Sequence, residues 1–346
     1  MVQGAMTLQY RDVTTVKPII LILGPTAGGK TELGVSLAVR LGGECISADS
    51  MQVYRGMNIG TAKPTPRQRA AVAHHLLDLL DTSDDGFSVD TWLALAEKAI
   101  AEIRDRGRYP VVVGGTNLYV QVLLEGLFQG PLPDPQLRRQ LEVTDPAALR
   151  RRLETIDPAA ARQIHPNDQR RTVRAVEVYE LSGKRISDLQ QQWLTGPPRR
   201  DVRIIGLDYG VTAINRRINA RARFMLREGL VDEVRALMAG GGLGRQASEA
   251  LGYRQVIDHI EGRLDPDAVL EQIRIRTRRF AKQQRSWLRR FRMHPESSWI
   301  SADKLSPQEL VEQALMALAG SIGPAAFRKD FLDGAGLHDQ ILPPVT

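Results

Sequence analysis

A phosphate-binding loop set between a strand and a helix constrains this chain more than any other feature. Residues 24–31 read Gly-Pro-Thr-Ala-Gly-Gly-Lys-Thr and match the P-loop pattern G-x-x-x-x-G-K-[ST]. The apolar stretch before the loop, residues 16–24, predicts a buried strand, and residues 32–41 predict a helix. Because the motif requires this strand–loop–helix context, we prefer a P-loop to a chance glycine-rich turn.

The loop offers several kinds of phosphate ligand. Its glycines let backbone N–H groups curl around phosphate oxygens, Lys30 adds a positive charge, and the Thr31 hydroxyl is placed to hold Mg²⁺. The helix that follows presents its positive N-terminal end to the anion. We therefore expect Mg²⁺ as the cofactor. The residues expected to bind a diphosphate or a nucleotide are Gly24, Pro25, Thr26, Ala27, Gly28, Gly29, Lys30 and Thr31.

Three more strands are predicted over residues 44–50, 109–115 and 202–209, with helical patterns along the chain between them. This alternation predicts an α/β fold of the P-loop NTPase-like type, in which helices flank a parallel sheet. Ligands of such sheets bind at the carboxyl ends of the strands. Three of these ends carry the P-loop, Asp49 with Ser50, and residues 114–116, so we expect these segments to converge.

The chain divides into segments of different character. We expect a disordered lead-in over residues 1–15, a first part of the P-loop core over 16–133 and a helical insertion domain over 134–200. A second part of the core with a basic helix follows over 201–310, and a C-terminal tail over 311–346. The insertion begins near PLPDP and ends near TGPPRR, which are both typical of linkers, and no clear strand is predicted between them.

Positive charge is concentrated in one stretch of a chain whose formal net charge is +7. Residues 271–294 contain no Gly or Pro, so they predict one long helix, and Glu271 is their only acid. A helix this basic favours an acidic partner, although a solvated helix face is the alternative. Its basic residues are Arg274, Arg276, Arg278, Arg279, Lys282, Arg285, Arg289, Arg290 and Arg292.

Other features argue against several classes of protein. The sequence has no apolar run near the ~20 residues of a membrane helix, and its first residues do not form an apolar secretory segment. Cys45 is the single cysteine, which excludes an intramolecular disulfide and a cysteine cluster for zinc. His74, His75 and His165 lack partners at ligand spacing, and we interpret His165 as a loop or cap residue. We expect a monomeric cytoplasmic protein with no membrane segment and no structural metal.

Asp49 follows the second predicted strand and faces the P-loop end of the sheet. A carboxylate there can accept a proton from a nucleophile or hold Mg²⁺ through water, and it can equally cap a helix or a turn. The third strand ends at Gly114 and Gly115, without the acid that manages Mg²⁺ in NTP-hydrolysing P-loop enzymes, and Asp78 is a poor substitute. The bound phosphates can therefore belong to a leaving group instead of a nucleotide.

Five sequence blocks, taken together, resemble the tRNA dimethylallyltransferase family. They are the P-loop GPTAGGKT, the run DSMQVYRGMNIGTAKP, the strand VVVGGTNLY, the segment IHPNDQRRTVRAVEVYELSGK and the run LGYRQ. The blocks follow the family's order, and the resemblance extends over roughly residues 16–291. Two places depart from the family's pattern: Gly28 stands where serine is common, and residues 170–173 form a variable stretch.

The resemblance implies an activity. Family members transfer a dimethylallyl group from dimethylallyl diphosphate to N6 of the adenosine immediately 3′ of the tRNA anticodon, and diphosphate is released. The P-loop would hold the diphosphate, Asp49 would be the general base, and Thr116 would lie near the reacting centre. Arg221 matches an arginine that contacts the diphosphate, with a solvated arginine in an arginine-rich helix as the alternative.

The resemblance also implies a broad surface for the anticodon arm of tRNA. The target adenine would leave its stack, and the basic helix would contact phosphates. Tyr54, Tyr253 and Trp287 are candidates for stacking on bases, with packing in the core as the alternative. The implied tRNA-binding residues are Asp49, Ser50, Met51, Gln52, Thr116, Arg138, Arg170, Arg171, Thr172, Val173, Arg174, Glu249, Ala250, Leu251, Gly252, Tyr253 and Arg254.

Three rival functions remain. A P-loop small-molecule kinase would need an ATP pocket, and the missing acid argues against it. A prenyltransferase acting on free AMP or ADP would share the P-loop and Asp49 but would need no long cationic surface. A non-catalytic RNA-binding module would not need Asp49 beside a complete P-loop.

Overall fold

The structure is a computed structural model that describes residues 16–128, 130–191 and 196–322. The expected lead-in and residues 323–346 of the expected tail lie outside these ranges. The described parts of Met1–Val120 and Arg199–Thr346 form one compact unit, and those of Gln121–Pro198 form a second. Among the described helices, none combines the length and the apolar character needed to cross a bilayer.

The first unit is built on a parallel sheet, which confirms the predicted fold class. The order of its described strands is β3-β2-β4-β1-β5-β6, and every pairing is parallel. The strands are β1 (Ile19–Leu23), β2 (Glu44–Ala48), β3 (His74–His75), β4 (Pro110–Gly114), β5 (Val202–Asp208) and β6 (Ser297–Ser301). The sequence predicted β1, β2, β4 and β5 and missed the short β3 and the edge strand β6.

Helices flank this sheet. They are α1 (Lys30–Leu41), α2 (Pro66–Ala71), α3 (Val89–Asp105), α10 (Val211–Arg227), α11 (Leu230–Ala239), α12 (Arg245–Ser248), α13 (Tyr253–Ile260), α14 (Pro266–Phe291) and α15 (Pro307–Ile322). Helix α4 (Asn117–Glu125) runs across the sequence boundary between the two units. The helix predicted over residues 271–294 is present, although α14 begins earlier, at Pro266, where Asp265 caps it, and ends at Phe291.

Burial explains why these segments form the sheet. Every residue of β1 is at most 1% exposed, as expected for a strand covered on both faces. Helix α1 approaches β4 so closely that a Cβ at Gly34 would lie 2.4 Å from Val113 Cγ2. At its end, Gly42 takes a left-handed conformation with φ 63°, which glycine adopts without strain. The chain thus turns sharply into β2.

The second unit is helical in all its described residues that carry regular structure. Its helices are α5 (Pro135–Glu142), α6 (Pro146–Ile156), α7 (Pro158–Gln163), α8 (Gln169–Ser182) and α9 (Ile186–Leu189). The side chains of Asp134, Asp145, Asp157 and Asp168 cap the first four of these helices. Buried aliphatic residues such as Leu149, Leu153 and Val176 form a separate small core.

Candidate active site

The carboxyl ends of β1, β2 and β4 meet, as the sequence predicted. The residue after β4's double glycine, Thr116, donates its backbone N–H to Ala48 O at 3.2 Å. Its hydroxyl accepts a hydrogen bond of 2.9 Å from the backbone N–H of Ser50. Gly114 permits this contact, because a Cβ there would lie 2.2 Å from Ala48 O. The segments after β2 and β4 are therefore locked together.

The P-loop forms a turn whose backbone conformation depends on its small residues. Gly28 N–H donates to Pro25 O at 3.1 Å. Ala27 has φ 62° and Gly29 has φ 84°, both in the left-handed region. The ammonium of Lys30 donates to Pro25 O at 2.9 Å and so crosses the mouth of the loop. This geometry gathers loop N–H groups and one cation at the start of α1, which suits an anion.

Lys30 has an unusually low pKa. Burial of the ammonium and, to a smaller extent, the like charge of Arg221 lower its pKa to about 8, although the charge of Asp49 opposes both effects. A partly neutralised lysine regains its full charge when an anion binds beside it. The P-loop is therefore poised for a ligand with strong negative charge.

Asp49 caps a turn, and its charge acts on the cations of the site. Its Oδ1 accepts a hydrogen bond of 2.9 Å from the backbone N–H of Met51, which is the turn-capping role. Its charge also acts on the side chains of Lys30 and Arg221. The carboxylate thus caps a turn and faces the cations of the P-loop at once, so the cap does not exclude a chemical role.

Arg221 is the arginine of α10 that reaches the site. Its Nη1 lies 3.5 Å from Thr26 Oγ1, and burial lowers the pKa of its guanidinium while Asp49 raises it. Arg217 reaches the outer side of the loop instead, where its Nε donates to Ala27 O at 2.8 Å. Arg216 and Arg223 are exposed. The alternative of a solvated arginine therefore applies to these two neighbours and not to Arg221.

Two aromatic residues that the sequence did not single out support this site. Trp92 and Tyr119 stack with ring centroids 4.5 Å apart. Trp92 Nε1 donates a hydrogen bond of 3.0 Å to Ser47 O, and Ser47 lies two residues before Asp49. Burial, together with the charge of Asp49, raises the pKa of the Tyr119 hydroxyl. An apolar, rigid wall thus lies beside the carboxylate.

Gln284 is a further residue that the sequence analysis missed. It lies on α14, is 2% exposed, and accepts a hydrogen bond of 2.8 Å from Thr26 N–H through Oε1. Its Nε2 donates to Gly115 O at 3.0 Å. No local motif could have found it, because 258 residues separate it from Thr26.

Asp78 does not serve the P-loop. Its Oδ1 accepts a hydrogen bond of 2.5 Å from Lys63 Nζ, and its Oδ2 accepts one of 2.8 Å from Arg69. These contacts lower the pKa of Asp78 in spite of its desolvation. Asp78 instead fixes the conformation of the TAKP segment that contains Lys63, in agreement with its being a poor Mg²⁺ acid.

Residues 50–52 and the LGYRQ region, both expected to contact tRNA, each include half-buried and buried residues. Ser50 and Met51 are half-buried, while the buried Gln52 donates to Thr61 O and accepts from the Ser47 hydroxyl. In the LGYRQ region, Glu249 is exposed, Ala250, Gly252 and Tyr253 are buried, and Leu251 and Arg254 are half-buried. Tyr54 and Tyr253 are 0% exposed, so both pack in the core, while Trp287 is half-buried.

The second unit presents some of its predicted RNA-binding residues and buries others. Arg170 and Arg171 are exposed, whereas Thr172 and Val173 are 3% exposed. Arg138 and Arg174 both pair with Glu177, at 2.6 and 2.7 Å. Glu177 is completely buried, so its carboxylate fixes the guanidinium groups of Arg138 and Arg174, and their side chains remain partly accessible.

Helix α14 exposes much of its positive charge. Arg274 and Arg278 pair with Glu271, at 3.2 and 3.8 Å. The other face carries the exposed residues Arg276, Arg279, Lys282 and Arg289. Such a row is suited to contacts with phosphates.

The described residues contain no group of three or more His, Cys, Asp or Glu side chains that could hold a metal ion. His165 lies in a turn, where its Nδ1 accepts from Asn167 N–H at 3.2 Å. Thr31 is the second residue of α1 and is half-buried. A hydroxyl and diphosphate oxygens are ligands that Mg²⁺ accepts, so Thr31 fits an ion that arrives with its anion.

The fold and the site define an α/β protein of the P-loop type, whose strand ends gather Lys30, Asp49, Thr116 and Arg221. A model of the IPP transferase family matches residues 52–291, and a model named Isopentenyl transferase matches residues 17–85. The chain therefore belongs to the IPP transferase family. This membership confirms the predicted family resemblance and the prediction that the protein is a prenyltransferase.

Individual relatives agree with this assignment. The chain is 45% identical over 291 residues to a tRNA dimethylallyltransferase of Syntrophobacter fumaroxidans, covering 82% of this chain and 84% of the relative. It is 41% identical over 315 residues to that of Geobacillus thermodenitrificans, covering 88% and 97%. The solved tRNA isopentenylpyrophosphate transferase of Bacillus halodurans superposes with a TM-score of 0.66 at 36% identity, covering 90% and 98%. A solved eukaryotic dimethylallyltransferase acting on tRNA superposes with a TM-score of 0.72 at 26% sequence identity. This match covers 94% of this chain and 82% of that one.

Proposed function

We propose that this protein transfers a dimethylallyl group from dimethylallyl diphosphate to N6 of the adenosine immediately 3′ of the anticodon in tRNA. Its named relatives are tRNA dimethylallyltransferases over most of the chain's length. The observation that carries the proposal is the placement of Asp49 opposite Lys30 and Arg221 at the ends of the sheet. A base and an anion site then face each other.

The reaction needs the two sides of this site for different tasks. The N6 lone pair attacks the allylic carbon as the bond from that carbon to the diphosphate oxygen breaks. Asp49 accepts the N6 proton, and the electron pair of the broken bond leaves with diphosphate. Stabilising the leaving charge is the larger task, which fixed N–H donors and cations perform well. Lys30 and Arg221 are the cations in position to do so, with Thr26 between them.

The stacked rings of Trp92 and Tyr119 are 0% and 4% exposed, so they support the site from within the core. The hydrogen bond from Trp92 to Ser47 O holds the end of β2 that leads into Asp49. Thr116 holds the Ser50 backbone and so fixes the start of the segment 49–52, which we propose contacts the target adenine.

Mg²⁺ fits this site as a companion of the diphosphate. Thr31 is the residue that would hold it, and we propose that Asp49 would contact it through water. When bound, Mg²⁺ neutralises part of the diphosphate charge. The protein's own cations and loop N–H groups orient the donor.

The acceptor would bind through exposed cations. Arg170 and Arg171 on one unit, and Arg276, Arg279 and Lys282 on the other, are exposed and can contact phosphates without reading sequence. Arg138 and Arg174, held by Glu177, are the better-ordered candidates for a specific contact. We propose that the enzyme acts as a monomer in the cytoplasm, where it meets the anticodon arm of tRNA.

The test is a choice of acceptor. Labelled dimethylallyl diphosphate is supplied together with unmodified tRNA, AMP and ATP, and the label is followed into each. Label on tRNA alone is the expected result. Label on AMP would assign the protein to prenylation of free adenylate, and no label on any acceptor would contradict the transferase and favour the kinase alternative.

A further inference from the structure

Gln284 connects the basic helix to the P-loop. The chemistry of its neighbours fixes how its amide is oriented. Thr26 N–H can only donate and Gly115 O can only accept, so Oε1 must face Thr26 and Nε2 must face Gly115. The side chain is 2% exposed, so both hydrogen bonds are shielded from water. Such a bridge is costly to break, because the buried amide of Gln284 would lose both of its hydrogen-bond partners, which are themselves half-buried.

Thr26 is held from two directions. Gln284 on α14 binds its backbone, and Arg221 on α10 lies 3.5 Å from its hydroxyl. Thr26 lies in the first half of the loop. Lys30, at the end of the loop, connects back to that half through the hydrogen bond from its Nζ to Pro25 O. The position of Thr26 therefore sets how the loop opens toward an anion.

Gly115 makes room for this bridge. A Cβ at residue 115 would lie 2.7 Å from Gln284 Nε2 and 3.6 Å from Lys30 Nζ. The closer contact is with the end of a flexible side chain, so an added methyl group would displace Gln284 first. The end of β4 is thus shaped to receive the amide.

We propose that Gln284 is a positioning residue for the prenyl donor: it ties the first half of the P-loop, at Thr26, to the end of β4, so that the loop's N–H groups converge on the diphosphate. The donor's identity rests on the proposed function. The neutral side chain of Gln284 is not itself an acid, a base or a cation of the site. Its loss should weaken donor binding and leave tRNA binding unchanged.

The first variant is Gln284→Met, which keeps the length of the side chain and removes both hydrogen bonds. The second is Gly115→Ala, which displaces the amide without changing it. The matched control is Gln272→Met, the same substitution on a half-buried residue of the same helix. Circular dichroism and thermal melting of each variant verify that it folds.

Steady-state transfer is measured for each protein with donor and tRNA varied in turn. We expect Gln284→Met to raise the KM for dimethylallyl diphosphate about tenfold and to leave the KM for tRNA within about twofold. Gly115→Ala should do the same, and the double variant should be no worse than Gln284→Met, because both changes break one bridge. Gln272→Met should match the unaltered protein.

A rise in the KM for tRNA with an unchanged KM for the donor would overturn the proposal, as would normal kinetics in Gln284→Met. Calorimetric titration with diphosphate and Mg²⁺, without an acceptor, separates this proposal from the proposed function. If the unaltered protein transfers no label to tRNA but Gln284→Met binds diphosphate about tenfold more weakly, the positioning role stands alone. Equal binding of diphosphate, or none by the unaltered protein, would overturn it.

Discussion

The hydroxyl of Tyr253 donates a hydrogen bond of 2.6 Å to Glu233 Oε1. The same carboxylate accepts hydrogen bonds from the backbone N–H groups of Asn58 and Ile59, at 3.0 and 2.9 Å. Tyr253, a candidate for stacking on RNA, is 0% exposed and instead holds the acid that anchors residues 58–60. The LGYRQ run and the NIGTAKP run thus stabilise each other through Glu233.

Tyr253→Phe removes the hydroxyl and keeps the ring. We expect it to lower the free energy of unfolding by about 2 kcal/mol, because one hydrogen bond to a charged acceptor is lost. Urea unfolding measures this change, and a gel-shift titration with tRNA should give unchanged affinity. A large loss of tRNA affinity in a fully folded variant would show that the hydroxyl contacts RNA and would contradict its purely structural role.

The environment of Glu44 makes the free energy of unfolding depend on pH. Hydrogen bonds from Arg106, with help from His75 and against the effect of burial, lower the pKa of this carboxyl to about 2. A carboxyl with a lowered folded-state pKa stabilises the protein above its unfolded pKa of about 4.3. That stability, about 3 kcal/mol, is lost as the pH falls from about 4 to about 2.

Glu44→Gln should remove this dependence and lower the free energy of unfolding at neutral pH. Unfolding in urea at several pH values measures both effects. Glu102→Gln, on an exposed acid of α3, is the matched control and should change little. Identical pH profiles for Glu44→Gln and the unaltered protein would show that the pKa of Glu44 is not lowered by its contacts with Arg106 and His75.

Lys30 predicts a different pH dependence, in ligand binding. Its pKa of about 8 in the free protein means that the ammonium is charged below that pH and increasingly neutral above it. Affinity for diphosphate should therefore fall as the pH rises from about 7 to about 9.5. Calorimetry across that range measures it. Lys30→Arg should bind diphosphate with little pH dependence, because its guanidinium stays charged. If its affinity fell with pH as steeply as that of the unaltered protein, this explanation would be wrong.

The close approach of β4 to β2 at Gly114 can be tested by adding a methyl group there. A Cβ at this position would lie 2.2 Å from Ala48 O, so Gly114→Ala must separate β4 from β2 beside Asp49. We expect a loss of about 2–3 kcal/mol in unfolding free energy and at least a tenfold loss of transfer activity. Gly320→Ala, on α15 with open space around its α-carbon, is the control and should leave stability unchanged or slightly higher. Normal stability of Gly114→Ala would mean that the strand ends are not this close.

The strands and the strand-end site follow from the sequence because their signals are local. An apolar run, a glycine-rich loop and a double glycine each specify their own backbone, and parallel pairing brings their ends together. The edge strand β6 was missed because Ser297–Ser301 is half polar. Its place is set by Trp299, whose ring fills the space beside Gly206, 2.3 Å from where a Cβ would lie.

Contacts between distant segments could not be predicted from the sequence, because no local pattern marks the residues that make them. Nothing near Gln284 in the chain marks it as a partner of Thr26, and its helix is conspicuous only for charge. Thr172 and Val173 share a segment with Arg170 and Arg171, but the helical period turns them into the core of their unit. Resemblance identified the segment, while the helix geometry decides which side chains of the segment are exposed.

The most direct test of the central claim is a single-turnover measurement with Asp49→Asn. The substitution keeps an oxygen that can cap the turn at Met51 and removes the base, so the fold and the binding of diphosphate should persist. We predict that the rate of label transfer from bound dimethylallyl diphosphate to tRNA falls at least about a hundredfold, with donor affinity changed by less than about threefold. Transfer at the unaltered rate would contradict the account, because Asp49 would then be only a cap.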